Sequence, residues 1–300
     1  MTYPTGEQYE IVSGEHRAVV TEVGATLRTY TVGDHEVVRG FEPDEVVKGA
    51  RGMQLLPWPN RIRDGRYSFG GQELQLALTE PDRHNAIHGL VRHVAWRVTE
   101  QAEDSLTQQV RVYPEPGWPG IIEASITHAV SQRGLQVSVR VTNLGETEVP
   151  FGYAAHPYLS VGEATVDEVS VTVPAASYLE VDERLLPIRI ASVEGTEYDL
   201  RSGAPLGSRV LDTAFTDLLR DEDGRWRVKL SLGERQAELW GDSTMTWIQV
   251  FTGEKRRDIA LAVEPMTCGP DAFNEGPTHD GVIVLAPGKS YSGRWGVLGR

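Results

Sequence analysis

The chain has 300 residues, of which 40% are hydrophobic and 24% are charged, and its formal net charge is −14 at pH 7. This composition is typical of a soluble globular protein, and the negative charge argues against a surface for nucleic acid or anionic membranes, which needs clustered Lys and Arg. The single cysteine, Cys268, excludes an intrachain disulfide framework. The N-terminal residues lack the pattern of a signal peptide, and no apolar run approaches the ~20 residues of a membrane span. We therefore expect a cytoplasmic protein.

Short strands joined by Gly and Pro turns are predicted along the whole chain. The clearest is at residues 134–144, where Leu135, Val137, Val139 and Val141 alternate with polar residues. A long polar region up to about residue 211 is predicted to lie at an edge of the sheets. The other predicted strands lie at residues 14–40, 67–78 (a hairpin that turns at Gly70-Gly71), 94–98, 169–173, 226–232, 237–240, 245–252, 259–264, 283–285 and 292–297.

The fold class follows from this regular series of strands. The chain contains no amphipathic helix of ordinary length, no linker, no charge block and no short repeat. Many short strands with Gly/Pro turns predict an all-β protein, a large antiparallel β-sandwich, with residues 1–300 forming a single domain.

The segment FGYAAHPYL, residues 151–159, contains the side chain best suited to proton transfer, that of His156. The following proline favours an extended backbone at this histidine. Histidine has an unperturbed pKa near 6.5 and can both donate and accept a proton at neutral pH. The alternative interpretation is a histidine that only fills a gap in an apolar strand.

Glu264 is the second candidate for proton transfer. It follows the apolar run at residues 259–263 and precedes Pro265, and a carboxylate at the end of a buried strand is costly unless it is paired or functional. A histidine and a carboxylate are the minimum for paired general acid–base catalysis. The sequence lacks the G-x-S-x-G elbow, the Walker loop and a G-x-G-x-x-G motif at the start of a helix. No motif therefore indicates a serine nucleophile, nucleotide hydrolysis or dinucleotide-dependent redox chemistry.

Other polar loop residues each admit two interpretations. Arg61 either binds a ligand or belongs to a solvated basic face with its neighbouring arginines. His84 and His88 are four residues apart, a spacing that helps a metal site only on a helix; Pro81 and Gly89 bracket them, so no metal is expected. Asp212 is either a ligand-binding carboxylate or the N-cap of a short helix.

Two tryptophans in Pro/Gly-rich loops, Trp58 and Trp118, could offer a flat face to a sugar ring. Packing within the loops is the alternative for both. Cys268 is interpreted as a small buried residue.

Taken together, these segments resemble the aldose 1-epimerase (galactose mutarotase) family. Five segments occur in the family's order: PNRI with a following glycine and aromatic residue (60–69), NAIHG (85–89), GWPG (117–120), HPYL (156–159) and EPMTCGPDAFN (264–274). The sequence departs from the family pattern at two places. Residues 55–62 read LLPWPNRI where the family has N-G-R-x-A-N-R-I, and residues 156–159 read HPYL where HPYF or HPYW is common. Both places concern the wall of the pocket, so they affect which substrate is expected and not the expected chemistry.

The resemblance implies a galactose mutarotase-like supersandwich and a cofactor-free reaction that interconverts the α and β anomers of a free aldose. It implies His156 as the general acid, protonated with the help of a nearby carboxylate, and an ionised Glu264 as the general base. It also implies a monosaccharide as the small-molecule partner; no nucleic-acid or membrane partner is expected, and the protein is expected to be a monomer or homodimer. The substrate-binding positions that match are Arg61, His88 and Asp212, with Asn60 and Trp118 in the same motifs.

Three other functions remain open from the sequence. An epimerase acting on hexose 6-phosphates would use the same acid–base pair with arginines on the phosphate. A sugar-binding β-sandwich could keep the cleft without catalysis. A glycosidase or lyase is the third, although the pairing found is His with Glu rather than two carboxylates.

Overall fold

A computed structural model of the chain describes residues 2–163, 165–253 and 260–300. Within these residues the chain forms 27 β-strands, three short 3-10 helices and no α-helix. The first strands are β1 (Gln8–Ser13), β2 (His16–Thr21), β3 (Leu27–Val32), β4 (His35–Val38), β5 (Gln54–Leu55), β6 (Arg61–Arg63), β7 (Arg66–Phe69), β8 (Gln72–Gln75), β9 (Asn85–Ile87), β10 (Arg97–Gln101), β11 (Ser105–Val112), β12 (Ile122–Ser131), β13 (Gly134–Asn143) and β14 (Val149–Phe151). The second half contains β15 (Ala154–Ala155), β16 (Tyr158–Leu159), β17 (Ser170–Thr172), β18 (Ala175–Val181), β19 (Pro187–Ser192), β20 (Ala204–Pro205), β21 (Asp212–Leu218), β22 (Trp226–Leu232), β23 (Arg235–Gly241), β24 (Trp247–Phe251), β25 (Leu261–Met266), β26 (Ile283–Leu285) and β27 (Ser290–Gly299). The 3-10 helices are Pro81–Arg83, Val166–Glu168 and His279–Gly281.

Two large antiparallel sheets make up the sandwich. The larger sheet has the order β1-β2-β3-β4-β16-β25-β24-β21-β18-β19, with β15 and β5 attached through β25. The smaller sheet has the order β10-β11-β12-β13-β27-β23-β22-β17-β20, and three two-stranded ribbons (β14-β26, β6-β9 and β7-β8) complete the structure. Between the sheets, β1 and β2 contact β12, while β16 and β25 contact β23.

Period-2 patterning explains why these segments are strands. Along β13, Leu135, Val137, Val139 and Val141 are buried in the core that both sheets share, and the residues between them are partly exposed. The predicted strand at 134–144 is therefore confirmed, and so are those at 226–232 and 283–285. The hairpin that turns at Gly70-Gly71 is also confirmed, as β7 and β8.

Several boundaries differ from the prediction. The polar region before residue 211 lies at the sheet edges as expected, but it contains β18 and β19, whose sequences do not alternate regularly. The predicted strand at 94–98 begins only at Arg97, because Val94 is exposed and Ala95 forms an isolated bridge with Val23. The strand predicted at 259–264 is β25, and Ile259 lies outside the described residues. Over the part of the chain that the structure describes, no helix is long and apolar enough to cross a membrane.

Candidate active site

Three adjacent central strands of the larger sheet bring polar side chains together. Along β25, Leu261 and Val263 belong to the core between the sheets, so alternation directs Glu264 to the opposite face. Its register partner in β24 is Gln249. Gln249 in turn donates from Nε2 to Oδ1 of Asp212, the first residue of β21, at 2.5 Å.

His156 lies in the connection between β15 and β16, two short strands that both pair with β25. Its backbone is tied to the neighbouring segment, since its N–H donates to the Met53 carbonyl (3.1 Å) and its carbonyl accepts from the Gly52 N–H (2.8 Å). The imidazole stacks on Tyr158 with ring centroids 5.2 Å apart and meets His88 edge-on at 5.6 Å. These contacts fix the position of the ring.

The central contact of the site joins His156 and Glu264. Nε2 of His156 lies 3.3 Å from Oε1 of Glu264, and only 5% and 2% of the two residues is exposed. Nδ1 of His156 and Oε2 of Glu264 are buried and have no hydrogen-bond partner in any other described residue. Buried polar atoms without a partner are costly, so a ligand hydroxyl that reached them would gain free energy of binding.

Burial moves the proton of this pair in the direction opposite to the sequence-based expectation. It raises the pKa of Glu264 well above its usual 4.5, reinforced by Asp212 and opposed by Arg61. It also lowers the pKa of His156 from 6.5 to about 3. Both shifts favour the neutral form of each group in the free site, whereas the sequence-based expectation is an ionised Glu264 beside a protonated His156. The expected carboxylate is adjacent, but the cost of burying charge outweighs its attraction.

Asn60 and His88 hold each other in a strained backbone geometry. Both have left-handed φ values, 52° and 64°, which is uncommon outside glycine and typical of functional sites. The N–H of Asn60 donates to Nδ1 of His88 (3.2 Å), and the N–H of His88 donates to the Asn60 carbonyl (2.9 Å). Since Nδ1 accepts, the neutral imidazole carries its proton on Nε2. Burial lowers the pKa of His88, so the ring is a neutral Nε2–H donor.

Arg61 is buried in this cluster, with 7% of the residue exposed, so its interpretation as part of a solvated face is wrong. Its guanidinium forms a bidentate pair with Glu80, from Nε to Oε2 (2.9 Å) and from Nη2 to Oε1 (3.0 Å). Nη1 donates to Oδ1 of Asn60 (3.3 Å), and Nη2 lies 3.7 Å from Oδ2 of Asp212. Asp212 begins a strand, so the helix N-cap alternative is also wrong.

Two residues singled out from the sequence lie outside this cluster. Trp118 is 0% exposed and belongs to the core, and a ring without exposed surface offers no face to a sugar. The expectation that it stacks on substrate is corrected to loop packing. Trp58 is likewise buried, edge-on against Phe273. His84 does not converge with His88, because its Nδ1 lies 2.9 Å from Oδ1 of Asp64.

Sequence reasoning missed two residues of the cluster, Gln249 and Glu80. Gln249 is the one polar residue of the buried strand β24, and this signal of a polar side chain in an apolar run is the one that identified Glu264. Glu80 carries no comparable signal, because it stands in a polar loop and its pairing with Arg61 spans nineteen residues.

Comparison with known proteins agrees with the fold and with the family resemblance. The chain matches the family model for aldose 1-epimerase over residues 7–297. It is 30% identical over 288 residues to the uncharacterized protein YihR of Escherichia coli K12, covering 96% of this chain and 91% of YihR. It is 30% identical over 329 residues to galactose mutarotase of Homo sapiens, covering 96% and 92% of the two chains.

Structural similarity extends over nearly the whole chain. The crystal structure of the GalM/aldose epimerase homologue from C. elegans has a TM-score of 0.86 at 20% sequence identity, covering 98% of each chain. The galactose mutarotase-like β-sandwich predicted from the motifs is therefore confirmed. Matched over nearly its full length, the chain belongs to the aldose 1-epimerase family.

Proposed function

We propose that this protein is an aldose 1-epimerase that interconverts the α and β anomers of a free aldose such as glucose or galactose. The observation that carries the proposal is the 3.3 Å contact between Nε2 of His156 and Oε1 of Glu264 in a buried cluster of sugar-compatible donors and acceptors. Membership of the aldose 1-epimerase family supports the same reaction class.

The reaction requires one base and one acid at the same time. Glu264 takes the proton from the anomeric hydroxyl while His156 gives a proton to the ring oxygen, so the C1–O5 bond breaks and a C1 aldehyde forms. Rotation about C1–C2 presents the other face of the aldehyde. The same two transfers in reverse then form the C1–O5 bond with the opposite configuration. Each transferring group typically contributes about 10²–10⁴-fold to such a rate.

The neutral pair of the free site is compatible with these roles, because it already holds the one proton that the cycle needs. Transfer of that proton from Glu264 to His156 over 3.3 Å converts the neutral pair to the ionic pair. The charge of Arg61 lowers the pKa of Glu264 and so favours the transfer. Sugar hydroxyls at the unpaired Oε2 of Glu264 would act in the same direction.

The surrounding residues are proposed to hold the sugar. His88 offers its Nε2–H, and Arg61 offers the guanidinium N–H groups that its protein partners leave free. Asp212 and Asn60 are further polar contacts for sugar hydroxyls. Donors fixed in place before substrate arrives stabilise charge that develops at the ring oxygen.

Polarimetry on freshly dissolved α-D-glucose and α-D-galactose tests the proposal. Wild type should speed the approach to anomeric equilibrium, and Glu264→Gln and His156→Asn should lose this acceleration while their thermal unfolding is retained. Glu123→Gln, which removes a carboxylate on β12 in the other sheet, is the matched control and should retain activity. A folded Glu264→Gln or His156→Asn variant with near-native rate would remove that residue from the mechanism.

Two outcomes would change the proposed function. If wild type fails on free hexoses but accelerates anomer exchange of hexose 6-phosphates, the substrate class is wrong while the acid–base pair stands. If the protein binds sugar saturably without anomer exchange, it is a sugar-binding member of the family.

We also propose that residues 1–300 act as one domain, as a monomer or homodimer in the cytoplasm. The core shared by both sheets and a family match over 7–297 support the single domain. One cooperative unfolding transition and a light-scattering mass of one or two chains are the expected results.

A further inference from the structure

The carboxylate of Glu80 determines which edge of the Arg61 guanidinium faces the site. An arginine has five N–H donors in a rigid plane. Glu80 takes the Nε donor and one Nη2 donor, and Oδ1 of Asn60 takes one Nη1 donor. The 3.7 Å separation of Nη2 from Oδ2 of Asp212 is too long for a hydrogen bond. Among the described residues, one donor on Nη1 and one on Nη2 are thus without a partner and can bind a ligand.

Glu80 is itself held firmly in place. Nδ2 of Asn85 donates to its Oε2 (3.0 Å), and Nη1 of Arg83 donates to its Oε1 (3.2 Å). The backbones of Glu80 and Asn85 also exchange two hydrogen bonds, of 2.9 and 3.1 Å. Burial by itself would raise the pKa of Glu80, but the hydrogen bonds from Arg61 and Asn85 lower it overall. The group is therefore a fixed anion at neutral pH.

Glu80 does not take part in the proton-transfer pair directly. Across the residues that the structure describes, its side-chain hydrogen bonds and ion pairs lead to Arg61, Arg83 and Asn85, and not to His156 or Glu264. Of these three partners, Arg61 is the one whose charge acts on Glu264 and whose guanidinium reaches Asn60, so we expect an effect of Glu80 on the reaction to pass through Arg61.

We propose that Glu80 is a positioning residue for the epimerase reaction, which clamps the Nε/Nη2 edge of Arg61 and thereby aims its remaining donors at the sugar. This inference rests on the proposed function. Without the clamp, the guanidinium rotates about its side-chain bonds, and a misplacement of about 1 Å in such a group costs about 10²-fold in rate.

A double-mutant cycle tests the inference, because it separates positioning from general stabilisation. The variants are Glu80→Gln, Arg61→Gln and the double variant, with kcat/KM for anomer exchange and Kd for D-galactose measured for each. Glu80→Gln should lower kcat/KM by about 10²-fold. In the Arg61→Gln background the same substitution should change kcat/KM less than threefold, because no guanidinium remains to be aimed.

One control tests whether the loss of any Glu–Arg contact lowers activity, and a second variant replaces Glu80→Gln if that variant does not fold. Glu123→Gln removes a Glu–Arg contact, to Arg111 in the smaller sheet, and should leave kcat/KM unchanged. If Glu80→Gln does not fold, Glu80→Asp takes its place in the cycle, because it keeps the charge while withdrawing the carboxylate by one methylene.

The outcomes distinguish this inference from the proposed function. Wild-type activity with equal losses from Glu80→Gln in both backgrounds would overturn the positioning role alone. Sugar binding without anomer exchange would overturn the reaction, and the cycle would then be decided by Kd, where non-additivity supports the role of Glu80. A wild type that neither exchanges anomers nor binds sugar would overturn both.

Discussion

His128 makes the stability of the sandwich sensitive to acid. It is fully buried on the inward face of β12, and neither ring nitrogen has a hydrogen-bond partner among the residues that the structure describes. Its register partners on the two neighbouring strands are Leu106 and Val137, both buried. Burial in this apolar setting lowers its pKa from 6.5 to about 3.

The sign and size of the effect follow from proton linkage. Between pH 6.5 and about 3 the unfolded chain binds a proton at this histidine and the native state does not, so stability falls as pH falls. Each pKa unit corresponds to about 1.4 kcal/mol. His128 alone therefore removes about 2 kcal/mol from the free energy of unfolding at pH 5, and about 4 kcal/mol at pH 3, where the native histidine is itself half protonated.

Replacement of His128 by leucine removes both the titration and two unpaired polar atoms. We expect His128→Leu to raise the free energy of unfolding at pH 7 by about 1–3 kcal/mol, and at pH 5 by about 2 kcal/mol more than that. Urea denaturation at the two pH values measures this difference. Ile126→Leu on the same strand is the packing control, and its effect should be equal at both. Equal effects of His128→Leu at pH 7 and pH 5 would refute the reasoning.

Three further predictions concern the site and its support. Because burial favours the pair with one proton, kcat/KM should neither rise as pH passes 4.5 nor fall as pH passes 6.5, the usual pKa values of Glu and His, and a fall beginning near 6.5 would contradict this. Gly89→Ala should destabilise the protein by about 3 kcal/mol or more in thermal or urea unfolding, since at φ 67° its Cβ would lie 2.0 Å from the Leu56 carbonyl oxygen; an unchanged melting temperature would show that the loop relaxes freely. Trp118→Phe should leave KM for sugar within twofold, and a large rise in KM would return this ring to the binding site.

Local patterning was enough to predict the fold class and most central strands. Apolar and polar residues alternate almost perfectly along β13 and β22, so each strand can be predicted from its own sequence. β18 and β19 do not, because β19 is an edge strand whose Ile188 and Ile190 remain exposed. Their place in the sheet is set by the pairing of β18 with β21 and of β19 with β18, which is a tertiary effect that periodicity does not record.

The site was partly predictable for a similar reason. His156 and Glu264 stand out as polar residues in apolar or extended surroundings, and the structure brings them to 3.3 Å. Arg61 could not be separated from a solvated face by sequence, because the carboxylate that pairs with it, that of Glu80, comes from a loop nineteen residues away. Arg61 and Glu80 are brought together by the pairing of β6 with β9, and the local sequence around either residue does not indicate that pairing.

The location of the proton was beyond sequence reasoning altogether, and it is the feature that most affects the mechanism. Ordinary pKa values would leave the pair with one proton only between 4.5 and 6.5. Burial opposes both the imidazolium and the carboxylate, so it lowers the pKa of His156 and raises that of Glu264, and both shifts favour the pair that holds one proton and no charge. The fold that encloses Glu264 between central strands therefore does more than exclude water. It favours a pair that holds one proton without net charge, so that an acid and a base lie 3.3 Å apart in the free site.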